Sequence, residues 1–388
     1  MKKNFILYVL RILVIILIFQ GYIVLSSSQN NEEKIKFTPF YSGIGDDYID
    51  QGKYEEAIQV YEKAVEEEQN ESYMFFQIGY CKFELGLYKE AVEYFKKYIN
   101  LVPDDESAYY NLGLCYFILK NYKESIEYLK RAIEIDKDDI KCYRILGNCY
   151  YFLENYSEAI KTYRKYLNNN PNDIDVLYRL ANCYSNIDNY LEAIDCFKNI
   201  LKLDPENCDL YFMLGFSYYS IEEYVKSIES LNQAIRIKPD YIEAYSLMSE
   251  IYLLLGRYTP AVEICEKAIK IELENIEFHL KLGKALFGRK SYREAINIML
   301  DTIKLDPDYS EAYILWGNCN LQLQDYSSAE NLFKKAIKID KKNARAHYLL
   351  GICYVIEKNH DLAINEYKIL MEIDKDLAGQ LFELIFDK

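Results

Sequence analysis

One tyrosine position recurs every 34 residues along most of this 388-residue chain, and no insertion interrupts the period. Alanine or serine follows three residues later each time, from Ala57 to Ala363. A fixed period of this length is the signature of stacked helical hairpins, in which each unit packs only on its neighbours. We therefore expect one elongated array instead of several globular domains. The recurring position holds Tyr54, Tyr88, Tyr122, Tyr156, Tyr190, Tyr224, Tyr258, Tyr292, Tyr326 and His360.

Ten repeats of this length fit residues 38–377, and each predicts two amphipathic helices. Helix A has apolar side chains at repeat positions 4, 7, 8 and 11, and helix B has them at positions 17, 20, 24 and 27, the spacing of one helical face. Position 8 is glycine in eight repeats. Because glycine inside a helix costs about 1 kcal/mol relative to alanine, we expect a close approach of two helices there. Residues 378–388 are predicted to form a capping helix over the last hairpin.

These features together resemble the tetratricopeptide repeat, over residues 38–377. The resemblance implies an all-α fold: a right-handed superhelical α-solenoid of antiparallel helix hairpins, with helix A lining a concave groove that binds peptide segments or partner proteins. Local departures are Lys82 and Asn320 at position 11, and Tyr98 and Tyr166 at position 27. The pattern is clearest in the fourth repeat, in Tyr143, Leu146, Gly147, Tyr150, Tyr156, Ala159, Tyr163 and Pro171.

Residues 1–25 form a hydrophobic segment, and the polar residues 26–37 read as a short linker. Between Phe5 and Leu25 only Arg11, Gln20 and Gly21 interrupt the apolar run, which is long enough for a membrane anchor if Arg11 reaches the cytoplasmic interface. We expect an uncleaved anchor with the repeats on the extracytoplasmic side. Two alternatives stay open: a signal peptide cleaved to give a secreted or periplasmic protein, and a hydrophobic end that stays in the cytoplasm.

The formal net charge of −15 argues against a nucleic-acid partner, which requires a basic surface. Equivalent helices of adjacent repeats lie roughly 10 Å apart, beyond the ~7 Å Cα limit of a disulfide. Repeated cysteines are therefore expected to be small buried apolar residues. No Cys-x-x-Cys motif occurs, so neither a metal nor another cofactor is predicted. Six of the ten cysteines share position 10: Cys81, Cys115, Cys149, Cys183, Cys319 and Cys353.

Catalytic chemistry is not predicted either. The three histidines, His279, His347 and His360, all take positions where other repeats have core aromatic residues. No segment outside the repeats is long enough to hold a catalytic domain. The glycines around Ile44 lack the lysine and the preceding strand of a phosphate-binding loop. We therefore expect a protein that is not an enzyme.

Aromatic side chains are frequent at the helix A positions that would face the groove in the family's geometry, which are 2, 5, 6, 9, 12 and 13. Aromatic residues at such density on an exposed wall are typical of a binding surface. The alternative is that they pack against neighbouring helices. These residues are Phe76, Tyr80, Phe83, Tyr110, Phe117, Tyr151, Phe152, Tyr178, Phe212, Phe216 and Tyr219.

A polar cluster lies among these aromatic residues. Some family members hold a terminal carboxylate between Lys or Arg and Asn on successive helices A. This chain matches that arrangement only in part, because it has Arg179 where asparagine is expected. Arg and Asn donors suit an acidic or C-terminal peptide; solvated charges are the alternative. The cluster consists of Asn111, Lys141, Arg144, Asn148, Arg179 and Asn182.

The sequence thus predicts a protein–protein interaction module or adaptor, tethered to a membrane through its N-terminal segment. Two alternatives are a structural scaffold or spacer of the cell envelope, and an accessory that recruits substrates to a separate enzyme.

Overall fold

In a computed structural model, residues 23–24, 38–39, 41–67 and 71–386 are described. Two short strands, β1 (Ile23–Val24) and β2 (Thr38–Pro39), pair antiparallel. Twenty-one α-helices make up the rest of the regular structure in the described residues. Apart from these strands, the predicted hydrophobic segment 1–25 and the linker 26–37 lie outside the described residues.

The chain divides into two compact units, Met1–Asn189 and Tyr190–Lys388. The first unit contains α1 (Tyr41–Asp50), α2 (Tyr54–Glu66), α3 (Glu71–Glu84), α4 (Tyr88–Leu101), α5 (Glu106–Ile118), α6 (Tyr122–Ile135), α7 (Ile140–Phe152), α8 (Tyr156–Leu167) and α9 (Ile174–Asn186). The second contains α10 (Tyr190–Leu203), α11 (Cys208–Ser220), α12 (Tyr224–Ile237), α13 (Ile242–Leu254), α14 (Tyr258–Ile271), α15 (Ile276–Gly288), α16 (Tyr292–Leu305), α17 (Ser310–Gln322), α18 (Tyr326–Ile339), α19 (Ala344–Ile356), α20 (His360–Ile373) and α21 (Lys375–Phe386).

Within each unit, every helix packs on the next one along the chain. The odd-numbered helices α1–α19 are the helices A of the repeats, and the even-numbered helices α2–α20 are the helices B. Helices A of neighbouring repeats also contact each other, for example α5 with α7 and α7 with α9 in the first unit. The predicted all-α solenoid of helix hairpins is therefore confirmed.

The position-8 glycine lies where helix A meets helix B of the same repeat. A Cβ added to Gly147 would lie 2.5 Å from Cε1 of Tyr163, sixteen residues later, and Gly79 faces Phe95 in the same way at 2.9 Å. Ser249 replaces the glycine in the seventh repeat, where the facing position 24 holds the smaller Cys265. The close approach expected from the sequence is confirmed, and its partner is the side chain at position 24.

The turn after each helix A is the same in all ten repeats. Position 15 has a positive φ throughout, although only three repeats have glycine there; Glu154, for example, has a φ of 58°. The Glu154 amide donates to the Tyr151 carbonyl at 3.0 Å, and the Asn155 amide donates to the Tyr150 carbonyl at 2.9 Å. This left-handed closure satisfies the last carbonyls of helix A. Because this turn has the same length in every repeat, the tyrosine recurs every 34 residues.

All ten cysteines are unpaired, and all but Cys208 are buried, as predicted for small core residues. Burial raises the pKa of the thiols, to about 12 for Cys81 and about 11 for Cys149. The histidines differ from the prediction in one case. His279 and His347 are buried core residues, but His360, the first residue of α20, is exposed.

We predict that Gly147→Ala lowers the free energy of unfolding by about 1–3 kcal/mol, since the new methyl group overlaps the Tyr163 ring. Gly379→Ala is the matched control: this helical glycine has no atom within 4 Å of the added Cβ, so alanine should be neutral or stabilising. Urea unfolding of both variants checks this. Equal effects at the two sites would contradict the close-approach explanation.

A second prediction concerns His347 in the last repeat. Its Nδ1 lies 2.6 Å from the Glu366 carboxylate and its Nε2 lies 3.1 Å from the Lys341 carbonyl oxygen, so both nitrogens face acceptors. The hydrogen bond to Glu366 is the main cause that raises the pKa of His347 above its usual 6.5, and the Asp340 charge adds to it. The stabilisation is thus fully present below pH ~6.5 and is lost as pH rises through the raised pKa.

Urea unfolding between about pH 6 and pH 9 should therefore show stability that falls with rising pH through His347. His347→Tyr, which introduces the residue that most other repeats have at position 4, should remove this component. His360→Tyr is the control, because His360 is exposed and its replacement restores the tyrosine of the other repeats. A pH dependence that persists in His347→Tyr would contradict the assignment.

Candidate functional site

Most of the predicted groove residues lie on four successive helices A of the first unit, α3, α5, α7 and α9. Repeat positions 2, 5, 6 and 9 are three or four residues apart and so share one helical face. Because α5 contacts α7 and α7 contacts α9, these faces adjoin. Phe212 and Phe216 lie on α11 in the second unit.

The most developed feature is an aromatic cluster of five residues: Phe117, Tyr122, Tyr151, Phe152 and Tyr156. Tyr122 stacks on Phe152 with ring centroids 5.2 Å apart and an interplanar angle of 11°. Phe117 lies 6.0 Å from Phe152, and Tyr151 makes an edge contact with it at 5.6 Å. Phe152 nevertheless stays 44% exposed. The cluster therefore presents an accessible ring on an ordered aromatic base.

Arg179 lies against this cluster. Its guanidinium carbon is 5.4 Å from the ring centroids of both Tyr151 and Phe152, within the range of a cation–π contact. Among the described residues, no carboxylate forms an ion pair with Arg179. A guanidinium has five N–H donors, and these cation–π contacts provide no carboxylate or carbonyl acceptor for them, so they can donate to a ligand. The sequence predicted that Arg179 donates hydrogen bonds to a carboxylate, but it did not predict the contact of Arg179 with the aromatic rings.

The recurring position-17 tyrosine builds these clusters. It packs against the aromatic residue at position 12 of its own repeat, as in Phe117 with Tyr122 at 5.8 Å and Tyr151 with Tyr156 at 6.2 Å. Tyr122 also reaches Phe152 of the next repeat. Position 17 belongs to the predicted buried stripe of helix B, but these tyrosines are only half-buried, because each lies at the start of helix B.

Arg144 is engaged differently from Arg179. Its Nε lies 3.8 Å from Asp173 and its Nη2 lies 3.6 Å from Asp175, both at the start of α9. Asp173 also accepts from the Val176 amide at 3.1 Å, which caps α9. Two carboxylates thus already balance the Arg144 charge, which weakens its attraction for an acidic ligand.

The remaining polar residues of the predicted cluster lie on α5, α7 and α9. Asn148 accepts a hydrogen bond from the Tyr163 hydroxyl at 2.8 Å, which leaves its amide NH₂ to donate. Lys141 is exposed, and its backbone amide is capped by Asp139 at 3.0 Å. Asn111 and Asn182 are half-buried. Their role in binding stays a prediction.

The other predicted aromatic residues differ in exposure. Phe76 packs on Phe95 and Tyr98 at 5.6 and 5.1 Å, and Phe212 packs on Tyr241 at 5.3 Å, so both contribute to the core. Four members are half-buried. Tyr80 contacts Tyr54, and Phe83 and Tyr219 each contact the tyrosine five residues later. Burial raises the pKa of the fourth, Tyr110. Tyr178 and Phe216 are 36% and 44% exposed.

The position-27 tyrosines, which depart from the repeat pattern, have a clear structural role. The Tyr166 hydroxyl donates to Asp173 at 2.8 Å, and Tyr98 donates to Asp105 in the equivalent place. Each aspartate also caps the following helix A. Burial and this hydrogen bond raise the pKa of Tyr98 to about 12. Tyrosine at position 27 therefore joins the end of helix B to the start of the next repeat.

Sequence reasoning missed several residues that form the site: Tyr122 and Tyr156 were taken as core, and Asp173 and Asp175 were not considered. The five-residue spacing between aromatic positions 12 and 17 is the signal that could have found the tyrosines. Within the residues that the structure describes, no group of His, Cys, Asp and Glu could hold a metal ion. In the same part of the chain, no helix is long and apolar enough to span a membrane.

Comparison with protein families identifies these hairpins. A family model for the C-terminal domain of cilia and flagella-associated protein 70, a tetratricopeptide-repeat domain, matches residues 130–349, more than half of the chain. A model for subunit 3 of the anaphase-promoting complex, or cyclosome, matches residues 50–132, and a tetratricopeptide-repeat model matches residues 320–381. The chain belongs to the tetratricopeptide-repeat family.

One solved tetratricopeptide-repeat structure is similar to this chain in fold. The C-terminal part of a repeat protein from Cytophaga hutchinsonii has a TM-score of 0.52 and 18% identity, and the match covers 62% of this chain and 98% of that chain. MamA protein has a TM-score of 0.41 and 20% identity, over 44% of this chain and 93% of that chain. A comparison with curated proteins finds none that matches this sequence.

We predict that Tyr166→Phe lowers the free energy of unfolding by about 0.5–1.5 kcal/mol, since it removes the hydrogen bond that links two tetratricopeptide repeats. Tyr156→Phe is a matched control, because its hydroxyl makes no hydrogen bond with the described residues. Urea unfolding measures both. Equal stability of Tyr166→Phe and the native protein would show that the Asp173 contact contributes nothing.

Proposed function

We propose that this protein is a protein–protein interaction module or adaptor that binds a peptide segment of its partner on the helix A face of the first unit. The observation that carries the proposal is the exposed aromatic cluster with Arg179 lying over two of its rings. Solenoids characteristically use such extended surfaces for binding.

The chemistry of the cluster favours a particular kind of segment. Aromatic residues and arginine contribute most of the binding energy at many protein interfaces, because they bury a large area with little loss of conformational entropy. Phe152 offers an apolar surface, and the guanidinium of Arg179 supplies charged donors at its edge. A peptide with an apolar side chain beside a carboxylate would satisfy both. Arg179 suits the carboxylate better than Arg144, whose charge Asp173 and Asp175 already balance.

We further propose that the hydrophobic segment of residues 5–25 tethers the module to a membrane, with the repeats on the extracytoplasmic side. Support comes from the length of the apolar run and the basic residues that precede it. Such a tether would confine the binding surface to partners near the membrane.

The test is an affinity capture from crosslinked cells, comparing the native protein with the variant Phe152→Ala/Arg179→Glu. We expect at least one specific partner to be lost, and its affinity for the purified variant to fall roughly tenfold or more, as expected for residues central to an interface. Arg293→Glu is the control, an exposed arginine on α16 with no ion pair among the described residues. Unchanged partners and affinities in the double variant would refute the proposed site.

A self-associating scaffold is the second candidate, and the last helix favours it. α21 exposes Phe382, Leu384 and Phe386, each about half accessible. Phe382 and Phe386 are four residues apart and share one helical face, with ring centroids 4.6 Å apart. Exposed apolar side chains that adjoin in this way often mark a contact between proteins. If the protein is a scaffold, sedimentation should show a concentration-dependent oligomer that Phe382→Glu disrupts and Phe152→Ala/Arg179→Glu does not. A monomer at all concentrations would exclude this alternative.

A further inference from the structure

A groove of about 640 Å³ lies on the helix B side of the first unit, away from the residues proposed above. Helices α6 and α8 form its walls and α7 forms its floor. Tyr143 and Tyr150 of α7 lie in the floor, and Thr162 of α8 lines the wall beside them. The Thr162 hydroxyl donates to the Glu158 carbonyl of its own helix at 2.7 Å, so it is already satisfied.

In the fourth repeat, the repeat position that lines this wall of the groove holds a small side chain. Thr162 occupies repeat position 23, where the preceding repeat has Tyr128. There Tyr128 stacks on Tyr116 with centroids 5.4 Å apart and an interplanar angle of 2°, and it lies 6.4 Å from Tyr109. Tyr109 and Tyr116 are the equivalents of Tyr143 and Tyr150. The fourth repeat therefore has the two floor tyrosines without the third ring that covers them one repeat earlier.

Positive charge surrounds this space. Lys130 lies 5.9 Å from the Tyr150 ring centroid, and Lys165 lies 5.3 Å from that of Tyr143. Lys161 is paired with Glu158 at 2.6 Å. In contrast, Lys130, Arg164 and Lys165 form no ion pair with any carboxylate among the described residues. Glu134 also lines the groove, so its lining carries four basic and two acidic side chains, a positive balance in a chain whose net charge is −15.

The lysines beside the floor tyrosines leave room for an aromatic ring. In the preceding repeat, Lys96 lies 5.6 Å from the Tyr116 ring centroid while Tyr128 stacks on the same ring. A lysine and a second aromatic ring thus occupy the equivalent place together. The space beside Thr162 has the shape and the surroundings that the protein itself fills with a tyrosine.

We propose that this groove binds an acidic segment of a partner protein by inserting one aromatic side chain beside Thr162. The ring would lie against Tyr143, which is half-buried, as Tyr128 lies beside Tyr109, because Tyr150 is itself only 8% exposed. Flanking carboxylates would pair with Lys130, Arg164 and Lys165. The site is independent of the helix A surface, so one protein could hold two partners at once, which is what an adaptor requires.

The test uses a short fluorescent peptide in which one phenylalanine is flanked on each side by glutamates. Two comparison peptides replace the phenylalanine with alanine or the glutamates with lysines. We expect fluorescence anisotropy with the full chain to show the tightest binding for the first peptide, by about tenfold or more. Equal affinity for the phenylalanine and alanine peptides would refute the aromatic site.

Substitutions at Thr162 locate the binding. Thr162→Tyr recreates the packing of the preceding repeat, so we expect it to fill the groove, abolish peptide binding and leave the melting temperature unchanged or higher. Thr162→Ala keeps the space open and should bind like the native protein. Peptide binding to Thr162→Tyr within about twofold of native would overturn the proposal, because the peptide would then occupy another place.

Charge reversal provides an independent variant. Arg164→Glu/Lys165→Glu should lower the affinity for the acidic peptide by about tenfold or more. Lys96→Glu/Lys97→Glu is the matched control, at the same two repeat positions of the second repeat, where position 23 is Tyr94. Equal losses in both double variants would indicate attraction to general positive charge and would refute the groove. Retention of this binding in Phe152→Ala/Arg179→Glu keeps the outcome separate from that of the proposed function.

Discussion

In seven of the ten repeats, a glycine in helix A contacts the side chain sixteen residues later in helix B, and this contact holds the hairpin together. With a hydrogen atom in place of a side chain, the two helices approach until a ring such as Tyr163 lies against the backbone of α7. That approach fixes the register of the hairpin. Apolar burial then follows from the register, because positions 4, 7 and 11 of helix A and positions 20 and 24 of helix B all turn toward the same interior.

A fixed register places equivalent side chains in rows from repeat to repeat. In such an array, one substitution changes a local surface without disturbing the fold. Thr162 replaces a tyrosine and leaves a groove over two floor rings, and Arg179 replaces an asparagine expected from the family and lies on two rings of the previous repeat. One candidate surface therefore arises at position 23, which varies from repeat to repeat, and the other arises where Arg179 departs from the family pattern.

Charge is distributed unevenly on this acidic protein. Acidic residues begin many helices, where they cap amides, as Asp105, Asp139 and Asp173 do. Arg144 shows the consequence, because it pairs with the carboxylates at the start of α9 and loses much of its attraction for an external acid. By contrast, Arg179, Lys130 and Lys165 form no ion pair in the described part of the chain, whereas Lys161 pairs with Glu158. Both proposed surfaces therefore rely on cations that no carboxylate of the described residues neutralises.

The sequence by itself determined the period, the helix pairs, the close approach at position 8 and the burial of the cysteines, because each depends on local spacing that repeats ten times. It also indicated that aromatic and basic residues share the helix A face. Only the tertiary structure decided which of them are accessible. Phe76 and Phe152 are both aromatic residues on this face, yet the first packs on Phe95 and the second stays exposed. Exposure and pairing depend on side chains from neighbouring repeats, as with Tyr122 beside Phe152, and those contacts are set by packing across repeats that no single repeat's spacing specifies.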